Sequence, residues 1–112
     1  MNLKFLEILI LLFIGVAVSV LGDIFLKKSG AGHNLVMLTT GMILYAAAAI
    51  PVAMAFKLTQ FGIVFLIWEA MIVVLALAVG SLFFKEGFTV YKILALVTAL
   101  STIVFSYLAH KA

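Results

Sequence analysis

The stretch FGIVFLIWEAMIVVLALAVGSLFF, Phe61 to Phe84, contains one charged residue, Glu69. A helix needs roughly 20 apolar residues to cross a hydrocarbon core of about 30 Å, so this stretch predicts a membrane-spanning helix. Its apolar residues would lie on every side of a helix, and they show no alternation of period two. A strand of a transmembrane β-barrel is therefore not expected.

The composition of the whole chain points the same way. Of its 112 residues, 68% are hydrophobic and 10% are charged, and a soluble domain of this size cannot bury so much apolar surface. The chain has no cysteine, which excludes disulfides and thiolate metal sites. Its net charge of +3 comes from scattered lysines beside apolar runs, which indicates interfacial anchors and no binding of nucleic acid.

Three further apolar stretches accompany the first. The sequence therefore predicts an all-α membrane protein with four transmembrane helices in a single domain over residues 1–112. The expected helices cover about residues 5–26, 35–56, 61–84 and 90–108. Short connections make successive helices antiparallel neighbours. The first span ends in Gly22-Asp23 and Lys27-Lys28, a poor cleavage site, which favours a retained helix over a signal peptide.

The orientation of the chain is weakly determined by its lysines. Three lie on one predicted side of the membrane and four on the other, namely Lys4, Lys57 and Lys111 against Lys27, Lys28, Lys85 and Lys92. The positive-inside rule acts on this difference of one. Two interpretations stay open: insertion in both orientations with an antiparallel homodimer, or one fixed orientation with loops one and three inside.

Two acidic residues lie within the predicted spans. Glu69 is eight residues into the third span, about 12 Å deep, where it is too short to reach the headgroups. Hydrocarbon favours the neutral acid, so Glu69 is a candidate for holding either a proton or a cationic substrate. The alternative is a protonated residue that only packs. Asp23 shares a helix face with Ser19 and Lys27, so it either pairs with Lys27 or lines a polar cavity.

Within one chain, Glu69 and Asp23 are expected about 13 Å apart in height, so a shared acidic pocket is easier to build from two inverted chains. Phe65 and Trp68 lie one turn apart near Glu69, and Tyr45 is at mid-depth in the second span. Such aromatic residues either hold a cationic or planar substrate or simply pack against helices and lipid.

The fourth span carries small residues among bulky ones. Ala95, Thr98 and Thr102 recur along one part of the helix, and small residues let helices approach closely in lipid. This pattern predicts a dimerisation helix, with packing inside one chain as the alternative. The sequence contains no nucleotide-binding fingerprint, paired histidine ligands or nucleophile elbow, so no enzyme, catalytic residue, metal or cofactor is predicted.

Several segments resemble one known family. VLGDIFLKKSGAG resembles the end of helix one in the small multidrug resistance family, within the drug/metabolite transporter superfamily. TQFGIVFLIWEA resembles the helix-three stretch of that family, with Gly62 and Trp68 in matching places, and SLFFKEGFTVYKI resembles its loop into helix four. Tyr45 falls where the family has a helix-two tyrosine. The resemblance runs along nearly the whole chain.

The chain also departs from that family pattern. Ser19 stands where drug-exporting members carry a membrane-embedded glutamate, and Phe65 replaces a tyrosine. Ala95 and Thr102 replace helix-four glycines, and the Gly-x-Gly kink after the tryptophan is absent. The resemblance therefore implies a divergent member in which Glu69 and Asp23 take over the role of the usual glutamate.

The resemblance implies a secondary transporter of the inner (plasma) membrane that exports a small cationic or amphipathic substrate, with proton antiport as the expected coupling. Its expected partners are the lipid bilayer, the small-molecule substrate and a second chain, in a homodimer or a paired heterodimer. A polyamine carrier, or a carrier of lipid-linked sugars like the broader EamA-like superfamily members, is an alternative; in the latter Lys27 and Lys28 would contact phosphate. A membrane subunit that does not transport is a third possibility.

Overall fold

A computed structural model of the chain describes residues 3–30 and 33–111. This part of the chain contains four α-helices and no strand: α1 over Leu3–Lys28, α2 over Leu35–Phe56, α3 over Phe61–Phe83 and α4 over Val90–Lys111. All four are long and apolar enough to cross a membrane. The predicted all-α class with four transmembrane helices is confirmed. The predicted single domain over residues 1–112 stays a prediction, and Met1, Asn2 and Ala112 lie outside the described residues.

Polar groups cap the end of α1 and the start of α2 in the connection between these two helices. The Ser29 hydroxyl donates to the Leu26 carbonyl at 2.6 Å, and Gly30 adopts a positive φ of 61° that favours glycine. The side chain of Asn34 accepts a hydrogen bond from the Met37 amide at 3.3 Å and caps α2. Ala31 and Gly32, in the middle of the predicted turn, lie outside the described residues.

Helix α1 is the most enclosed helix and packs most extensively against α2. The two backbones approach closely where Gly22 faces Gly41, because a Cβ atom added at Gly41 would lie 2.9 Å from the Gly22 carbonyl oxygen. Helices α3 and α4 form the second close pair, and α1 also packs against α3. Contact between α2 and α3 is much less extensive. That lightly packed boundary leaves space for a cavity.

The core joins α1, α2 and α3 near the first turns of α1 and α3. It consists of seven buried side chains: Phe5, Ile8, Leu12, Ala55, Ile63, Val64 and Ile67. The turn after α2 is joined to the end of α4 by a hydrogen bond of 2.9 Å between the Thr59 hydroxyl and Nδ1 of His110. By contrast, only Ala99 and Ser106 are buried on α4, which leaves most of that helix exposed.

Candidate functional site

A cavity of about 480 Å³ lies between α1, α2 and α3, across the lightly packed boundary of α2 and α3. Four of the predicted site residues meet there: Ser19, Tyr45, Phe65 and Trp68. The remaining lining is apolar and is formed by Ala48, Ala49, Val52, Ala53, Phe56 and Val64. The cavity is therefore an aromatic and aliphatic pocket with two hydroxyl groups in its wall.

Asp23 is the acidic residue that is hydrogen-bonded to the cavity wall. The Tyr45 hydroxyl donates a hydrogen bond to the Asp23 carboxylate, which connects α2 to α1 one turn beyond Ser19. Ser19 itself is buried, with 1% of its surface exposed. A neutral hydroxyl thus occupies the enclosed position, and the carboxylate lies at the more open edge. The negative charge available to a cation in the cavity would be the Asp23 carboxylate at that edge.

The position of Trp68 depends on a glycine in α1. A Cβ atom at Gly15 would lie 3.0 Å from Cζ3 of Trp68 and 3.3 Å from Cγ of Pro51, so a side chain there would force the two rings to shift by a few tenths of an ångström. Trp68 therefore lies against α1 and α2 and forms part of the cavity wall. The sequence had indicated Trp68 as unusual because tryptophan prefers the membrane interface. It had not indicated that Gly15 supports it.

Phe56 is a cavity residue that the sequence reasoning missed. Its ring stacks on Phe61 with centroids 5.2 Å apart, and Phe61 lies 4.7 Å from Phe65. A recognisable signal was available: aromatic residues on both sides of the short KLTQ turn must come together when the helices fold back. The cluster closes one end of the cavity with aromatic surface.

Lys27 and Asp23 do not form the i,i+4 pair that their spacing allows. The Lys27 ammonium instead contacts the Glu86 carboxylate at 3.0 Å and lies 4.2 Å from the centroid of the Phe84 ring. The hydrogen bond from Lys27, followed by its charge, lowers the pKa of Glu86 below the ordinary value of 4.5. Asp23 lines a smaller cleft of about 170 Å³ beside this pair. Lys28 is exposed at the end of α1.

Glu69 lies outside the cavity. It lines a separate groove of about 410 Å³ between α3 and α4, together with the three residues predicted for dimerisation, Ala95, Thr98 and Thr102. Successive helical residues are about 100° apart, so Trp68 and Glu69 lie on different faces of α3. Within one chain, the structure thus brings Asp23 and the aromatic residues together and leaves Glu69 apart from them.

Four helices that can cross a membrane, with an aromatic and aliphatic cavity between three of them, define a small multi-pass membrane protein with space for an organic molecule. The profile of the Small Multidrug Resistance protein family matches residues 7–99. The chain therefore belongs to the small multidrug resistance family, which is a family of transporters. A comparison with curated proteins gives no match.

Proposed function

We propose that this protein is a secondary transporter that exports a small cationic or amphipathic substrate through the cavity between α1, α2 and α3. The observation that carries the proposal is the hydrogen bond from the Tyr45 hydroxyl to the Asp23 carboxylate, since Tyr45 lines the aromatic and aliphatic cavity. Tyr45, Phe65 and Trp68 offer ring faces that attract an organic cation, and such contacts strengthen when water is excluded. Asp23 supplies the negative charge.

Exchange of a proton for the substrate would follow from the same residues. A carboxylate at the edge of a membrane cavity binds a proton or a cation, but binding of one disfavours binding of the other. Asp23 thus takes the role that the family pattern gives to a glutamate at the position of Ser19. Rocking of one protomer against the other in the proposed dimer would expose the cavity to each side in turn.

The predicted second chain belongs to this proposal. Most of α4 is exposed, and the small residues Ala95 and Thr98 on it leave room for another helix. A dimer, in the inner (plasma) membrane, would cover this surface and complete the path of the substrate. The alternative of a lipid-linked sugar is less favoured, because Lys27, one of its two phosphate ligands, is engaged by Glu86.

The proposal is tested with purified protein in liposomes, by following the uptake of ethidium driven by an imposed pH gradient. Asp23→Asn removes the charge and keeps the shape, and we expect it to lower the initial rate at least about tenfold, since hydrogen bonds to charged groups contribute roughly 1.5–3 kcal/mol. Tyr45→Phe should lower it about fivefold, because it removes one hydrogen-bond donor.

Matched controls are available on the same chain. Glu7→Gln removes an exposed carboxylate from α1, and Tyr91→Phe removes an exposed hydroxyl from α4, so both should transport like the wild type. Wild-type uptake no faster than in empty liposomes would overturn the assignment as a transporter. Equal rates for the wild type and Asp23→Asn would overturn the role of Asp23.

A further inference from the structure

Asp23 borders a second and smaller space, the cleft between α1 and α3. The cleft has a volume of about 170 Å³, and none of its lining residues borders the cavity of about 480 Å³. Pockets for organic molecules usually have volumes of about 300–1,000 Å³, so the cleft is too small for the substrate of the proposed transporter. It has polar groups in its wall and room for several water molecules. The cleft therefore suits water and protons.

The carboxylate of Asp23 connects the cleft to the cavity. Its Oδ1 atom accepts the hydrogen bond from the Tyr45 hydroxyl, and Tyr45 lines the cavity. Its Oδ2 atom has no hydrogen-bond partner within residues 3–30 and 33–111. A carboxylate oxygen accepts a proton or a hydrogen bond from water. Oδ2 is therefore available for protonation while Oδ1 keeps its bond to Tyr45.

Lys27 and Glu86 close the outer end of the cleft, the end nearest the membrane surface. Lys27 lies in the last turn of α1 and contacts the Glu86 carboxylate at 3.0 Å. The loop that carries Glu86 lies tight against α3, because the Glu86 amide donates to the Gly80 carbonyl at 3.0 Å and a Cβ atom added at Gly80 would overlap the Glu86 carboxylate. An exposed ion pair contributes little to stability, so this closure can open.

The charges around the cleft favour a proton over a metal ion. Besides Asp23, the charged groups that line it are Lys27 and Glu86. The titratable group beside Asp23 on α2 is Tyr45, and the charge of Lys92 on α4 acts on Glu86. Helix α3 contributes only small or apolar residues, namely Ala76, Val79 and Gly80. The ammonium group of Lys27 repels a metal cation, whereas a proton passes along a chain of hydrogen-bonded water.

We propose that the cleft between α1 and α3 is a proton route to Asp23, closed at its outer end by the pair of Lys27 and Glu86. The proton travels through water in the cleft to Oδ2 of Asp23, while the substrate occupies the cavity on the side of Tyr45. A proton can then reach Asp23 while the substrate still fills the cavity, and its arrival removes the charge that holds the cation. This inference rests on the proposed function, because it takes Asp23 as the group that exchanges a proton for the substrate.

Cysteine accessibility in lipid nanodiscs tests whether water enters the cleft. The chain has no cysteine, so each single-cysteine variant reports on one position. Ala76→Cys places a thiol in the cleft, about 10 Å from the end of α3. Ala78→Cys is the matched control, since Ala78 is also exposed on α3 but does not line the cleft. With 2-hydroxyethyl methanethiosulfonate, a neutral reagent, we expect Ala76→Cys to react at least about tenfold faster, because the reactive thiolate forms in water and not in hydrocarbon.

The closing pair is tested on the same thiol. Glu86→Gln keeps the shape of the side chain and removes its charge, so the contact with Lys27 is weakened. We expect the thiol of Ala76→Cys to react about threefold faster in this background. Glu7→Gln is the matched control, because it removes an exposed carboxylate that lies outside the cleft, and it should leave the rate unchanged.

The proton itself is followed at Asp23, which is the only aspartate of the chain. The NMR signal of its labelled carboxyl carbon, recorded through a pH titration, gives the rate of proton exchange from its line width. Ala76→Phe fills the cleft and should slow this exchange at least about tenfold, whereas Ala78→Phe should not change it. Both variants should bind ethidium at a fixed pH like the wild type, because the cleft and the cavity share no lining residue.

Three results count against the proposal. A reaction of Ala76→Cys no faster than that of Ala78→Cys would mean that no water enters the cleft. Proton exchange at Asp23 in Ala76→Phe as fast as in the wild type would overturn the route, and Ala76→Leu replaces this variant if it does not fold. An unchanged thiol rate in Glu86→Gln would overturn the closing role of the pair. Neither measurement requires transport, so a failure of ethidium uptake in the wild type would overturn the proposed function by a separate observation.

Discussion

Two neighbouring residues of α3, Trp68 and Glu69, show how differently the two sides of one helix are used. Trp68 faces α1 and α2 across a glycine and forms part of a cavity. Glu69 faces the shallow groove beside α4 with no partner among the described residues. Adjacent positions in a membrane helix can therefore line separate spaces. The side toward α1 forms part of the buried core, whereas the groove beside α4 leaves Glu69 exposed.

The strongest test of this difference compares two adjacent aliphatic residues of α3. Ile67 is completely buried and Leu66 is 49% exposed. In lipid, truncation mainly removes packing contacts, so Ile67→Ala should lower the free energy of unfolding by about 2 kcal/mol. Leu66→Ala should cost less than about 1 kcal/mol. Unfolding by SDS in mixed micelles, followed by circular dichroism, measures both, and equal losses would show that the two sides are packed alike.

A smaller effect is expected when the support of Trp68 is changed. Gly15→Ala places a methyl group against the indole ring, and we expect a loss of about 1 kcal/mol together with a shift of the Trp68 fluorescence. Trp68 is the only tryptophan, so the emission reports on this position alone.

Gly62→Ala is the matched control for Gly15→Ala, because nothing lies within 4 Å of the added methyl group. It should leave both the emission and the free energy of unfolding nearly unchanged. An unchanged emission in Gly15→Ala would contradict the close contact between α1 and the indole.

The smallest effect concerns the membrane surface, where Glu86 lies in the loop after α3. Its pKa is lowered by Lys27, so the pair stabilises the fold above the ordinary pKa of 4.5, and this contribution is lost as the pH falls through the lower folded value. Lys27→Met should therefore raise the pKa of Glu86 toward 4.5. The NMR titration of its carboxyl carbon measures this change.

Lys28→Met is the control for the change at Lys27, since Lys28 is the next residue and is exposed. It should leave the titration of Glu86 as it is in the wild type. Equal shifts in the two variants would mean that general surface charge, and not the specific contact at 3.0 Å, lowers the pKa of Glu86.

The fold could be predicted from the sequence because the length of an apolar run directly decides whether a helix crosses a bilayer. The grouping of side chains could be predicted only in part. Tyr45, Phe65 and Trp68 come together as residues of one candidate site, but Glu69 does not join them. An all-apolar helix has no polar face to indicate which side meets which neighbour, so the direction of Glu69 could not be deduced.

The contact between Lys27 and Glu86 was also beyond the sequence. The two residues are 59 positions apart, and the position of Glu86 depends on the backbone of the loop after α3, where Lys85 has a positive φ of 53°. The spacing of Asp23 and Lys27 suggested a local pair instead. Asp23 accepts from Tyr45, because the close approach of α1 and α2 at Gly22 and Gly41 brings the tyrosine within reach.

The lightly packed boundary between α2 and α3 has a consequence for how a substrate is supplied. In the single chain, half-exposed Tyr45 and Phe65 border the cavity on this side, so in a bilayer the proposed transporter would open laterally toward the acyl chains. An amphipathic molecule that enters this way first dissolves in the membrane. Its concentration near the site is then set by its partition coefficient, and weak intrinsic affinity is compensated by enrichment in the lipid phase.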